Sequence, residues 1–228
     1  MGNRMKRWAA AALCALLTLG LAGCDLPMLG FADYDVSAYL QALLDSSYKN
    51  SHAQFLEVAG GDASAAQANN DTTVENTAVE FCNTYNLAMD ETQMDRLEEV
   101  LGQALTQARY TVKEEQKVDT GYYIEVEVTP ILSYQGLEPK LQELEEEAHE
   151  EATSVEGVSQ EGDVVTVDVN QLYLDKVLDY CEEQLSQLQY DTAPQTIALD
   201  IRQTSQGELQ LDMNQIKTID ETVLRLAS

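Results

Sequence analysis

The sequence predicts an α+β fold: an antiparallel sheet of about four strands, arranged as two hairpins, with helices packed on one face. Three observations carry that reading. Long stretches repeat apolar residues at helical spacing, two stretches switch to strict alternation, and each alternating stretch is interrupted by a glycine-containing turn. Each strand then has one apolar face, and the helices are what covers it.

The chain opens with Arg4, Lys6 and Arg7, followed by the apolar run "WAAAALCALLTLGLAG". That run is shorter than the ~20 apolar residues a membrane-crossing helix needs, and it ends in small residues, so residues 1–23 read as an export signal. "LAGC", Leu21 to Cys24, resembles the bacterial lipobox, in which the cysteine receives a diacylglycerol and becomes the first residue after cleavage. The resemblance implies cleavage between Gly23 and Cys24, lipidation of Cys24, and residence on the outer face of the cytoplasmic membrane. Each buried methylene contributes about 0.8 kcal/mol, and two or more acyl chains hold a protein durably. Residues 24–32 form a tether; its first eight residues, "CDLPMLGF", reach at most about 29 Å, so the domain of residues 33–228 stays close to the bilayer.

Within that domain, Asp33 or Asp35 caps a helix through "VSAYLQALLDSSYK", whose stripe is Val36, Tyr39, Leu40, Leu43 and Leu44. A short helix, "SHAQFLEVAG", follows and ends at Gly60 and Gly61. "DASAAQANNDT" is small and polar and reads either as a loop or as an alanine-rich helix. "VENTAVEFCNTY" places Val74, Ala78, Phe81, Cys82 and Tyr85 on one helical face. Asp90 and Gln93 form a capping box for the next helix, lined by Met94, Leu97, Leu101, Ala104, Leu105 and Ala108.

The period then falls to two. "YTVKEEQKV", the turn "DTG" and "YYIEVEVTP" make a hairpin in which Ile124, Val126 and Val128 alternate with Glu125, Glu127 and Thr129, and Pro130 ends the second strand. Two helices follow, "EPKLQELEEEAHEEA" and "NQLYLDKVLDYCEEQLSQL", around "GVSQEGDVVTV", which has room for a short extended piece. After Pro194 a second hairpin pairs "QTIALDIRQ" with "GELQLDM", placing Leu209, Leu211 and Met213 on its second strand. Asn214 caps a last helix with Ile216, Ile219, Val223 and Leu226 inward. The order helix, hairpin, helix, hairpin, helix suggests a duplicated unit with halves 33–137 and 138–228, although the apolar phase after Gly121 and after Gly207 differs by one residue.

The formal net charge is −27, and loss of the leader removes three cations and no acid. So negative a chain repels phosphate backbones and anionic headgroups, which argues against nucleic acid as a partner and favours cationic partners or divalent ions. With 44% apolar residues the chain folds despite its charge. Discounting Cys14 and Cys24 leaves Cys82 and Cys181, the latter on a face with Leu174, Val177, Leu178, Leu185 and Leu188. Both thiols point inward, and in an exported protein they form a candidate disulfide worth about 4 to 5 kcal/mol in the chain-entropy model; two buried thiols that never meet are the alternative.

Chemistry is sparse. His52 and His149 are the only histidines, and no nucleophile-elbow, zinc-protease, paired-cysteine or EF-hand pattern occurs. Glu145 and His149 share a helical face, but a metal site needs a third or fourth ligand, so no metal or cofactor is expected. Tyr122 and Tyr123 read as strand aromatics or as a ligand-stacking platform.

The lipobox, the "AYLQALLDSSYK" helix, the "ARYTVKEEQKVDTGYYIEVEVTP" hairpin and the "QTIALDIRQTSQGELQLD" hairpin resemble a family of Gram-positive surface lipoproteins that carry a domain of unknown function. The resemblance implies the architecture and transfers no site residues. The expectation is a lipid-anchored, non-catalytic domain at the membrane surface, binding a protein or small ligand through its sheet face or hairpin edges. A hydrolase using two carboxylates is the alternative. A transporter's substrate receptor fits less well, because hairpins do not supply its two parallel-sheet lobes.

Overall fold

A computed structural model describes residues 35–59, 62–155, 157–158, 164–165, 168–204 and 209–226. The leader, Gly23, Cys24 and the tether, as well as Gly60, Gly61 and Gly207, lie outside the described residues.

Helix α1 spans Val36–Lys49 and α2 spans Ala53–Ala59. Asp35 caps α1 by accepting the Ala38 amide at 2.7 Å, a contact type worth about 1 kcal/mol. Asn50 closes α1 in the left-handed region, which asparagine tolerates. Helix α3, Ala63–Tyr85, absorbs both "DASAAQANNDT" and "VENTAVEFCNTY". Its polar first half is held sideways: Asn70 Nδ2 donates to the Ser47 carbonyl and Asn69 Nδ2 to Ser47 Oγ, each at 2.7 Å. Helix α4, Glu91–Thr106, has the expected capping box, with Asp90 accepting from the Gln93 amide and the Gln93 side chain accepting from the Asp90 amide.

Strands β1 (Arg109–Val112) and β2 (Gln116–Val118) both pair antiparallel with β3 (Gly121–Thr129). The sequence reads them as one strand; the structure separates them by a bulge. Lys113 is bonded opposite Glu125 and Gln116 lies opposite Tyr123, so one extra residue is squeezed in at Glu114 and Glu115. Glu115, released from the ladder, accepts the Ser37 amide at the start of α1. Strand β3 pairs antiparallel with β6 (Gln195–Gln203). Gly121 makes that pairing: its φ is +148°, and a Cβ there would lie 1.9 Å from the Ile201 carbonyl oxygen.

Helices α5 (Glu138–Val155) and α6 (Val169–Leu185) flank the short pair β4 (Gly157–Val158) and β5 (Val164–Val165). The last hairpin is shorter than its alternation implies. Strand β7 is only Leu209–Gln210, and Met213 opens helix α7, Met213–Val223. Asp212, and not Asn214, is the cap, because its carboxylate accepts the Asn214 amide at 2.9 Å and turns the chain helical before Met213 can pair.

The result is the predicted α+β class: an open antiparallel sheet in the order β1-β3-β6-β7, with seven helices among the described residues. Helix α1 packs on β1 and α7 on β3 and β6, while α4 lies against α1, α3 and α6. The core sits between these layers: Ile124, Val126, Val128, Leu199, Leu40, Leu97, Leu101 and Phe81 are all essentially inaccessible. Residues 131–137 run through it as an irregular plug. Buried backbone polar groups need partners, and here they find them locally: Ile131 bridges to Tyr190 and Leu224, and the Tyr85 hydroxyl donates to the carbonyls of Tyr134 and Leu226.

Candidate functional site: the outer margin of β1

Among the described residues strand β1 is an edge of the sheet, and its polarity follows from the register. The Lys113 amide donates to the Glu125 carbonyl at 2.9 Å, so Lys113, Thr111 and Arg109 turn their peptide groups toward β3. Tyr110 and Val112 must therefore turn theirs outward. The bond from the Gln203 amide to the Thr120 carbonyl gives the same phase on the other side of β3.

Along this margin lies an open depression of about 370 Å³ bordered by Lys49, Arg109, Tyr110, Thr111, Glu127 and Thr129. The end of α1 and the start of β1 build it. Tyr110 packs edge-on against wholly buried Tyr48, and its hydroxyl donates to Asp45 Oδ1 at 2.7 Å. Lys49, one helical turn on from Asp45, pairs with it at 2.9 Å and lies over the Tyr110 ring. Burial pushes the Asp45 carboxyl up, but hydrogen bonds from Gln41, Tyr110 and Lys49 outweigh it and hold the group below its ordinary range. Glu127 is likewise matched, by Lys113 at 2.7 Å.

Arg109 differs from these. Its guanidinium lies 3.5 Å from the Tyr190 ring centroid, and no carboxylate among the described residues pairs with it. A cation this close to an aromatic face is held there by the ring quadrupole, and the contact uses none of the guanidinium's hydrogen-bond donors on a carboxylate.

A second feature joins α1 to α7. Tyr48 donates its hydroxyl to Asp220 Oδ1. Much of Asp220 is exposed, yet a carboxylate bonded to a buried phenol points inward. Burial raises its pKa to about 6; the Tyr48 bond opposes the rise, and Glu80 and Glu221 add to it. Solvent at the rest of the residue screens this charge, which keeps its cost in stability modest.

Other expected residues do not line this depression. Cys82 and Cys181 are free thiols; Cys82 Sγ contacts Met94 Sδ at 3.6 Å, and burial raises both pKa values, that of Cys181 to about 12. Tyr122 is buried on the core face, whereas Tyr123 lies on the other face and donates to Glu125. Glu145 and His149 are exposed on α5, and the described residues contain no metal-holding group of three acidic, histidine or cysteine side chains. A second depression, of about 320 Å³, includes Glu138 and Glu145. Those two lie seven positions apart, roughly 10 Å of helical rise, and both are exposed.

The sequence pointed to hairpin edges but not to Arg109, Tyr110, Lys49 and Tyr190. The available signal was the rarity of cations, 13 Lys and Arg against 40 acids, which makes any convergence of two informative. The stacking partner, Tyr190, is far away in sequence and has no local signature.

No family model matches the chain, and no curated protein matches it. A solved structure of YcdA, a protein assigned as a lipoprotein from Bacillus subtilis, matches the fold over 84% of this chain, with a TM-score of 0.56 and 15% identity. The chain spans 56% of that protein's length. At this identity the likeness concerns the fold.

Proposed function

We propose that this chain is a lipid-anchored, extracytoplasmic binding domain without catalysis of its own, held at the outer face of the cytoplasmic membrane by Cys24. The observation that carries the reading is "LAGC" at the end of a charged-then-apolar leader, since the acceptor sulfur stands where lipidation chemistry requires it. The lipoprotein assignment of the protein that shares the fold supports it. Among the described residues no helix is long and apolar enough to cross a membrane, so the reading assigns retention to acyl chains. The uncovered sheet face and the β1 margin are the surfaces it assigns to binding.

The test is expression of the full chain in a bacterium fed an alkyne fatty acid. The expected result is label on the protein and recovery in the detergent-soluble membrane fraction, with Cys24→Ser abolishing the label and releasing the protein from membranes. An unmodified mature terminus, with protein free in the medium, overturns the proposal.

A further inference from the structure

The reading above leaves the bound partner without a chemical class; the β1 margin supplies one. Four observations converge there. Tyr110 and Val112 turn their amide N–H and carbonyl groups away from β3, and nothing among the described residues bonds to them along that edge. These groups recur every second residue, about 6.8 Å apart, which is the repeat of a strand and not of a small anion. The bulge at Glu114 and Glu115 ends the open stretch, so the edge is short and cannot template extended self-association. Beside it, the depression continues from Arg109 to Thr111, with space for side chains.

Charge then selects among strands. At physiological salt the Debye length is about 8 Å, so the charges lining the margin outweigh the net charge of the whole chain. Lys49 is matched by Asp45 and Glu127 by Lys113, which leaves Arg109 as the unmatched charge on the rim. A lysine or arginine brought there meets like charge. A carboxylate meets a guanidinium already anchored over the Tyr190 ring, a planar fork suited to bidentate pairing.

We propose that the outer edge of β1 binds an extended acidic peptide segment of a partner protein as an added strand, with one of its carboxylates on Arg109. Main-chain pairing at Tyr110 and Val112 supplies attachment, and Arg109 supplies the preference for acid. The inference rests on the reading of this chain as a binding domain. It is tested without the lipid anchor, so a membrane-retained protein that ignores the probe defeats this inference and leaves the anchor standing.

The probe is a fluorescent peptide of alternating threonine and glutamate, titrated by anisotropy into the Cys24→Ser protein at physiological salt. Its controls are the same peptide with glutamine for glutamate and one with alternate backbone nitrogens methylated. Saturable binding to the acidic peptide is expected, weakened about tenfold, ~1.4 kcal/mol, both by the glutamine control and by Arg109→Gln, with Arg109→Lys intermediate. Val112→Pro removes an outward N–H and no ladder bond, and it is expected to abolish binding. The methylated peptide tests the same contacts from the ligand side without touching the fold, and it is expected not to bind. Equal affinity for the glutamate and glutamine peptides, binding indifferent to methylation, or full displacement by millimolar phosphate, which marks a small-anion site, would each overturn the proposal. So would an absence of binding at millimolar peptide.

Discussion

On β3, Ile124, Val126 and Val128 are wholly buried, while Tyr123, Glu125, Glu127 and Thr129, one residue away on the same backbone, stay partly exposed. The first set touches the helix layer; the second meets Lys113, Asp200 and water across an open face. One strand thus divides its duties by residue parity. Its inner face decides whether the sheet forms, and its outer face and neighbouring edge remain available for recognition because folding does not consume them. The contrast can be broken most strongly from the inside. Ile124→Ala leaves a cavity between β3 and the helices and is expected to cost about 2 to 5 kcal/mol in urea unfolding, whereas Glu125→Ala should stay within about 0.5 kcal/mol. Equal losses at the two positions would mean that the outer face is also packed.

Asp220 sharpens the contrast, because it is an acid that folding has turned inward. Its pKa rises from 3.8 to about 6 when folded, so the native state binds its proton more tightly than the unfolded chain does. Stability from this group is therefore fully present below about pH 4 and is lost as pH rises through about 6. Tyr48, Glu80, Glu221 and Lys217 act on it directly, and Tyr110 faces it through Tyr48. Asp45 and Asp191, both held low, push in the opposite direction. A comparison with Asp220→Asn isolates the effect. The variant should melt above the wild type at pH 7, and the gap should close toward pH 4. A gap that widens on acidification would show that the carboxylate is stabilised by its setting.

The inner face was legible in the sequence and the outer chemistry much less so, for a physical reason. Apolar periodicity reports burial directly, which is why Ile124, Val126 and Val128, the stripe of α4 and the Asp90–Gln93 cap could be read without coordinates. Helix α3 was ambiguous because its first half carries little apolar signal: Asn70, Asn69 and Ser47 hold it through hydrogen bonds that no spacing rule records. The β1–β2 bulge was hidden because alternation continues in the letters while the register slips in space. At the far hairpin, Leu211 and Met213 keep strand-like spacing but belong to the approach and first turn of α7, where Asp212 decides the outcome. Arg109 with Tyr190 lay furthest out of reach, since the pair joins a strand start to a loop distant in sequence.

The smallest expected effect sits on the outer face. Lys113 and Glu127 pair at 2.7 Å across β1 and β3 with side chains 42% and 36% exposed. At that exposure water already solvates both charges, and holding two long side chains in one geometry costs rotamer freedom. A cycle of Lys113→Gln, Glu127→Gln and the double variant should therefore give a coupling below about 1 kcal/mol, shrinking as salt is raised. A coupling of several kcal/mol that persists in high salt would mean the pair is shielded from solvent in the folded protein. Such a result would move this face from the recognition side of the comparison to the structural one, because charges that salt does not reach are already covered.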